Sequence, residues 1–373
     1  MKDIPEITGM RGYASQAVII FHFLVLGNLL GWLSLSRIAL AWNSGVDFFF
    51  VLSGFLLTVP FIESSLDPKR KKLSLREFYI KRAFRILPVY YLSLGIAVLV
   101  FSRPATFQQL LASIFFLQSF SQSTFNSING VSWTLVIEEI FYATLPVFSI
   151  FFLKRRWMYS LPACFAISII YRIIIYTLFS QNSIILHFYM WQYPSFLVHY
   201  AIGCVLANLY VTRRHLPVRP TGKFVSSLPM LASIIVLLAT QYWVGMTYLA
   251  YNDVEIFPAL IFAFEYGALI YLTLVSPPAA ILRNIFTNRL AQFTGRISYS
   301  VYSIHLPVLQ ALSQIGLPII SWIAASYVIV FFAATLTYYF VEKPYLQLRN
   351  KILNKIRSEK RRKEKIAPLI EIK

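Results

Sequence analysis

Near the start of the 373-residue chain, the stretch GMRGYASQAVIIFHF sets an arginine, Arg11, and a histidine, His22, into an otherwise oily run. At about 100° per residue, the eleven-residue step between them closes three turns with about 20° to spare. On a helix both side chains therefore leave from one face, about 16 Å apart along the axis. Imidazole titrates close to neutrality, so it can take a proton from a hydroxyl and return it, as acyl transfer to an alcohol requires. Its neutral form is also far cheaper to bury than a fixed charge.

Other groups with chemical potential follow in apolar surroundings. Arg82 and Arg85, in FYIKRAFRILPVYY, are three apart and share a helical face. Placed at the start of a span they suit phosphate, through forked hydrogen bonds and the helix dipole, or serve as a positive anchor. In NGVSWTLVIEEIFY the adjacent carboxylates Glu138 and Glu139 point about 100° apart, so one of them should face a cavity. They could orient a histidine or hold sugar hydroxyls. His305, in GRISYSVYSIHLPV, precedes Pro307, which should free backbone carbonyls in its span. Asp47, Ser53 and Gly54 in GVDFFFVLSGFLL read as close helix packing, Arg172 and Glu265 as a cross-bundle pair, and His199 as packing or interfacial.

Ionisable groups at membrane depth cost about 2.5–3.5 kcal/mol each and by default mark a pathway or a site. No His/Cys cluster has metal-ligand spacing, and neither a phosphate loop nor a nucleophile elbow is present, so no metal and no ATP hydrolysis are expected. Cys164 and Cys204 fall inside apolar runs and read as small core residues.

The elements that must position these groups are membrane helices. Hydrophobic residues make up 58% of the chain and charged residues 13%, too apolar a balance for an ordinary globular domain. Apolar runs at 12–33, 41–62, 86–101, 136–153, 158–178, 195–212, 224–244, 257–276, 297–315 and 320–341 have the length of helical spans, so the fold class is an all-α polytopic bundle of about ten transmembrane helices. No cleavage signal follows the first run, which is expected to be retained.

Charge parity decides the awkward segment 107–120. If it does not cross, 31 of the 34 Lys and Arg residues fall on one side of the membrane, leaving Arg37, Arg103 and Arg172. If it crosses, the KRR at 154–156 changes sides relative to the KRKK at 69–72. Positive short loops stay cytoplasmic, which places both termini inside and makes 102–135 a re-entrant or outer-face segment. The net charge of +19 is thus a topology signal in short connections and a tail, and no nucleic-acid partner is implied. Residues 1–345 read as the transmembrane domain and 346–373 as a basic cytoplasmic tail lying against the lipid bilayer.

These segments together resemble acyltransferase family 3, membrane proteins that modify surface glycans and small natural products. The resemblance runs from about residue 4 to residue 345. It rests on the Arg, ten residues, His arrangement at Arg11 and His22, on GVDFFFVLSGFLL, FYIKRAFRILPVYY, SWTLVIEEIFY and GRISYSVYSIHLP, and on FVEKP at 340–344. Where family members often carry an acidic residue shortly before the first arginine motif, this chain has ITG.

The resemblance implies an acyltransferase that takes an acyl group, commonly acetyl, from cytoplasmic acyl-CoA and delivers it to a hydroxyl of a glycan or small molecule. Acyl-CoA would be a donor substrate, with no cofactor permanently bound. By the resemblance, His22 would be base or relay, Arg11 its partner, and Arg82 with Arg85 the donor contacts; the residues themselves add Glu138 or Glu139 to orient acceptor or imidazole, with His305 a secondary candidate. Some family members add an esterase-like domain; where this chain has a basic tail, a second step would need another protein. The competing class is a proton-coupled transporter or flippase using the same buried His and Glu residues. Multi-pass placement in the cytoplasmic membrane is expected, and the oligomeric state is not legible.

Overall fold

The computed structural model describes residues 4–27, 36–66, 73–100, 105–213, 228–251, 257–275 and 280–370. The KRKK at 69–72, Arg103, residues 214–223 of a basic loop and residues 28–33 of the first expected span lie outside them.

All regular structure among the described residues is helical. The helices are α1 (Pro5–Leu26), α2 (Ser36–Leu40), α3 (Gly45–Leu66), α4 (Leu75–Val100), α5 (Phe107–Ile114), α6 (Trp133–Phe148), α7 (Trp157–Phe179), α8 (Ser183–Met190), α9 (Leu197–Arg213), α10 (Leu228–Tyr251), α11 (Pro258–Val275), α12 (Ala280–Thr287), α13 (Arg289–Ser313), α14 (Ile319–Thr337) and α15 (Lys343–Ile370). Among the described residues, eight helical stretches are long and apolar enough to cross a bilayer. The 18-residue α11 and the more polar 25-residue α13 pack among them. The chain is an all-α polytopic membrane protein.

Two parallel helix pairs organise the bundle. In the first, α1 lies against α13 so closely that a β-carbon built on Gly295 would sit 1.8 Å from Thr8 O, and one on Gly12 2.4 Å from Thr294 Oγ1. Small residues let the backbones approach where lipid gives no hydrophobic drive for helices to associate. In the second, α3 and α9 meet with Asp47 beside His199 and Thr58 beside Cys204. Aromatic packing around Phe50, Phe141 and Tyr200 then joins α3 and α9 to α6.

The segment 105–132 is a cap. Its helix α5 has eight residues, about 12 Å of rise, which cannot span the hydrocarbon. A capping box between Thr106 and Gln109 starts it. Tyr90 of α4 donates to Ser113 O at 2.6 Å, and Gln118 reaches both Tyr90 and Ser132. Pro307 has no N–H to give to Ser303 O, and the amide of Asn129 fills that position at 3.0 Å. The freed carbonyl expected from Pro307 is thus what anchors the cap to α13, over the end of the bundle where α4 and α13 finish.

Arg82 and Arg85 do not stand at the expected helix start, because α4 begins at Leu75 and places them two turns inside it. Backbone hydrogen bonds carry a helix through charged residues, so an apolar run marks only part of it. The helix dipole, confined to the first turn, contributes nothing there.

The step from α14 to α15 is a π turn over Tyr338–Glu342. Pro344 cannot donate to Phe340 O, and the turn before it widens. The boundary expected at 345/346 falls inside the continuous helix α15, which returns alongside α4, with Arg357 Nη2 2.5 Å from Glu77 Oε2 and Leu353 buried.

Candidate active site

The parallel pairing of α1 and α13 decides which residues meet. Arg11 donates to Ser298 Oγ at 3.1 Å, and eleven residues further along α1 His22 meets His305 of α13, Nδ1 to Nε2, at 3.3 Å. Arg11 and His22 thus address the same neighbouring helix, as their spacing requires. The ring centroids of the two histidines are 4.9 Å apart, and His305 is completely buried.

Below this pair lies a cavity of about 730 Å³. Among the described residues, five arginines line it: Arg11 of α1, Arg82 and Arg85 of α4, Arg296 of α13 and Arg349 of α15. Arg85 is ion-paired with the buried Glu342 of the π turn and lies over the Tyr299 ring, 5.6 Å from its centroid. Arg82 lies over the Tyr142 ring at 5.9 Å, and its buried Nε donates to no described group. Glu138 is the one carboxylate among the described lining residues and accepts from Ser53 Oγ at 2.6 Å. The wall therefore carries a positive excess in a partly enclosed, weakly screened space, which suits a ligand with several negative charges.

His22 and His305 do not line this cavity. Between them and the arginines, in the register of α1 and α13, lie Val18 and Tyr302, packed with Val131 and Leu306. The Tyr302 hydroxyl pairs with Thr134 Oγ1 at 2.9 Å and bridges α13 to α6 at this level. Cavity and imidazole pair are thus separated by one layer of side chains.

Of the residues anticipated from sequence, Arg11, Arg82, Arg85 and Glu138 share the cavity, His22 and His305 form the pair above it, and Glu139 lines neither. Ser53, read as packing, touches Glu138. Arg296, Ser298 and Tyr302 lie in GRISYSVYSIHLPV but carry no signal there that sets them apart, since only Ser298 and Tyr302 are at helical spacing. Arg349 was hidden in a basic tail that reads as an anchor. Elsewhere Asp47 and His199 form a buried pair at 2.7 Å, Arg172 Nε donates to Ser195 O over the Phe196 ring, and Glu265 accepts from Thr240.

Fold and site together define a polytopic helical membrane protein with a cationic cavity leading toward a part-buried imidazole pair. A family model described as an acyltransferase domain matches residues 4–341. The chain belongs to acyltransferase family 3. It is 28% identical over 370 residues to a peptidoglycan O-acetyltransferase of Listeria monocytogenes, covering 92% of this chain and 56% of that protein. A putative peptidoglycan O-acetyltransferase of Bacillus subtilis is 26% identical (91% and 54% covered), and a putative O-acetyltransferase of Staphylococcus aureus 26% identical (95% and 59%). The chain thus spans little more than half the length of these relatives. No solved structure matches it.

Proposed function

We propose that the protein is a membrane-embedded O-acetyltransferase that moves an acetyl group from cytoplasmic acetyl-CoA to a hydroxyl of a cell-envelope glycan, of the peptidoglycan class by analogy with its relatives. The observation that carries this reading is the five-arginine cavity below the His22–His305 pair. CoA bears a diphosphate and a 3′-phosphate, and guanidinium forks match phosphate oxygens well. The mouth where α1, α4 and α13 begin would be cytoplasmic, with both termini on that side, and the cap over 105–132 would face outward.

In the proposed reaction the CoA phosphates rest among Arg11, Arg82, Arg85, Arg296 and Arg349, and the narrow pantetheine arm passes the Tyr302–Thr134 layer toward His22. In direct transfer, His22 takes the proton of the acceptor hydroxyl, the new C–O bond forms, the C–S bond breaks and the proton passes to the thiolate. In the two-step alternative, His22 carries the acetyl group between donor and acceptor. Glu138, bonded to Ser53, lines the same cavity.

The test is transfer of label from radioactive acetyl-CoA to extracted envelope glycans by membranes containing the wild type, His22→Ala or Arg82→Ala. Label should move with the wild type, vanish with His22→Ala and partly recover with Arg82→Ala at high donor concentration. Full transfer by His22→Ala would sink the role of His22. Failure of any label to move, with glycan uptake into sealed vesicles instead, would favour a transporter.

A further inference from the structure

The geometry points to His305 as a positioning residue that holds the Nδ1–H of His22 and leaves His22 Nε2 as the reacting nitrogen; this rests on the acyltransferase reading above. A carbonyl oxygen can only accept a hydrogen bond. His22 Nδ1 is 2.8 Å from Val18 O, and His305 Nδ1 is 2.7 Å from Tyr302 O. Each Nδ1 therefore carries its ring's hydrogen, and in the neutral rings each Nε2 is bare. The bare Nε2 of His305 then stands 3.3 Å from the Nδ1–H of His22, which is shared between it and Val18 O. His22 Nε2 has no partner among the described residues and keeps its lone pair for chemistry.

The consequence appears when His22 reacts. As Nε2 removes the acceptor's hydroxyl proton, the ring becomes an imidazolium and its Nδ1–H becomes a stronger donor. His305 Nε2 is an acceptor already aimed at that hydrogen, so the developing charge is stabilised where burial would otherwise oppose it. The proton on Nε2 then leaves with the CoA thiolate, and both rings return to the neutral state, so the proton balance closes within the pair. Arg11 cannot serve this purpose, since it lies about 16 Å away along α1 and engages Ser298.

Two experiments test this. Nitrogen-15 NMR of histidine-labelled protein in detergent, with His22 assigned by comparison with His22→Gln, should show His22 protonated on Nδ1 and bare on Nε2; the opposite tautomer overturns the proposal without any activity being measured. In the transfer assay, His305→Leu should lower kcat by about 100-fold with an unchanged KM for acetyl-CoA, since the donor cavity is elsewhere. His305→Gln, whose amide oxygen can accept from His22 Nδ1–H, should recover at least about tenfold of that loss. A glutamine variant no better than leucine, or a leucine variant with full kcat, overturns the role of His305. Should the leucine variant fail to fold, the tautomer and the Gln variant still decide. A wild type that transfers nothing defeats the acyltransferase reading instead, and the tautomer result stands apart from it.

Discussion

Glu342 accepts hydrogen bonds from Arg85 and from Ser300, the latter at 2.6 Å, and thereby ties the π turn to α4 and α13 beneath the cavity. Its side chain is fully buried while that of Arg85 is 22% exposed. Removing the buried member of such a pair strands a charge and a hydroxyl. Glu342→Ala should cost about 3 kcal/mol and be seen as a lower Tm in detergent, with Glu342→Gln milder because its amide oxygen still accepts from Ser300. Equal Tm values for the wild type and the alanine variant would remove the tie from the account.

The contact of α1 with α13 sets the distance between His22 and His305. Side chains at 12 or 295 would meet backbone atoms that cannot give way. Gly295→Val should therefore abolish transfer and lower stability by more than about 2 kcal/mol, as overpacking does. An active, stable Gly295→Val would show that the two helices need not touch.

Arg349 places α15 in the cavity wall. Its guanidinium donates to Asn350 through Nε and Nη2, and the residue shares the cavity wall with the other four lining arginines. Arg349→Gln should raise the KM for acetyl-CoA about tenfold with little change in kcat, and should flatten the salt dependence of donor binding. An unchanged KM would return α15 to the role of a membrane-surface helix.

Tyr302 and Thr134 close the layer between cavity and imidazoles. Tyr302→Trp enlarges that layer and should reduce kcat at least tenfold while CoA still binds, an outcome read by comparing equilibrium binding with turnover. If turnover survives, the acyl arm takes another route.

Asp47 and His199 lie outside the cavity and its arginines. Asp47→Leu should leave His199 without its partner and destabilise the α3–α9 pair by about 1–3 kcal/mol, with an unchanged donor KM in the folded fraction. A selective rise in KM without loss of stability would instead connect this pair to the donor.

Much was legible from the residues alone. The all-α membrane fold followed from apolar runs of spanning length, because hydrocarbon forces a backbone to satisfy itself and a helix does so locally. The shared face of Arg11 and His22 followed from helical period, and the non-crossing cap from charge parity and the brevity of its helix. Where helices began was less legible: α4 starts eleven residues before its apolar run, since hydropathy registers the lipid-facing stretch and backbone bonding continues past it.

Sequence by itself determined which residues are costly in a membrane and therefore worth explaining. Tertiary structure decided which of them act together. The distance between residues 22 and 305, or between 85 and 342, depends on which helices adjoin, in which direction and at what register. Small residues such as Gly12 and Gly295 set that register through steric contact between backbones far apart in the chain. The same long-range packing recruited Arg349 from a segment that reads as a basic tail lying against the bilayer and set Asp47 against His199. Local periodicity carries no term for such contacts, because it reports the face of one helix and is silent on what that face meets.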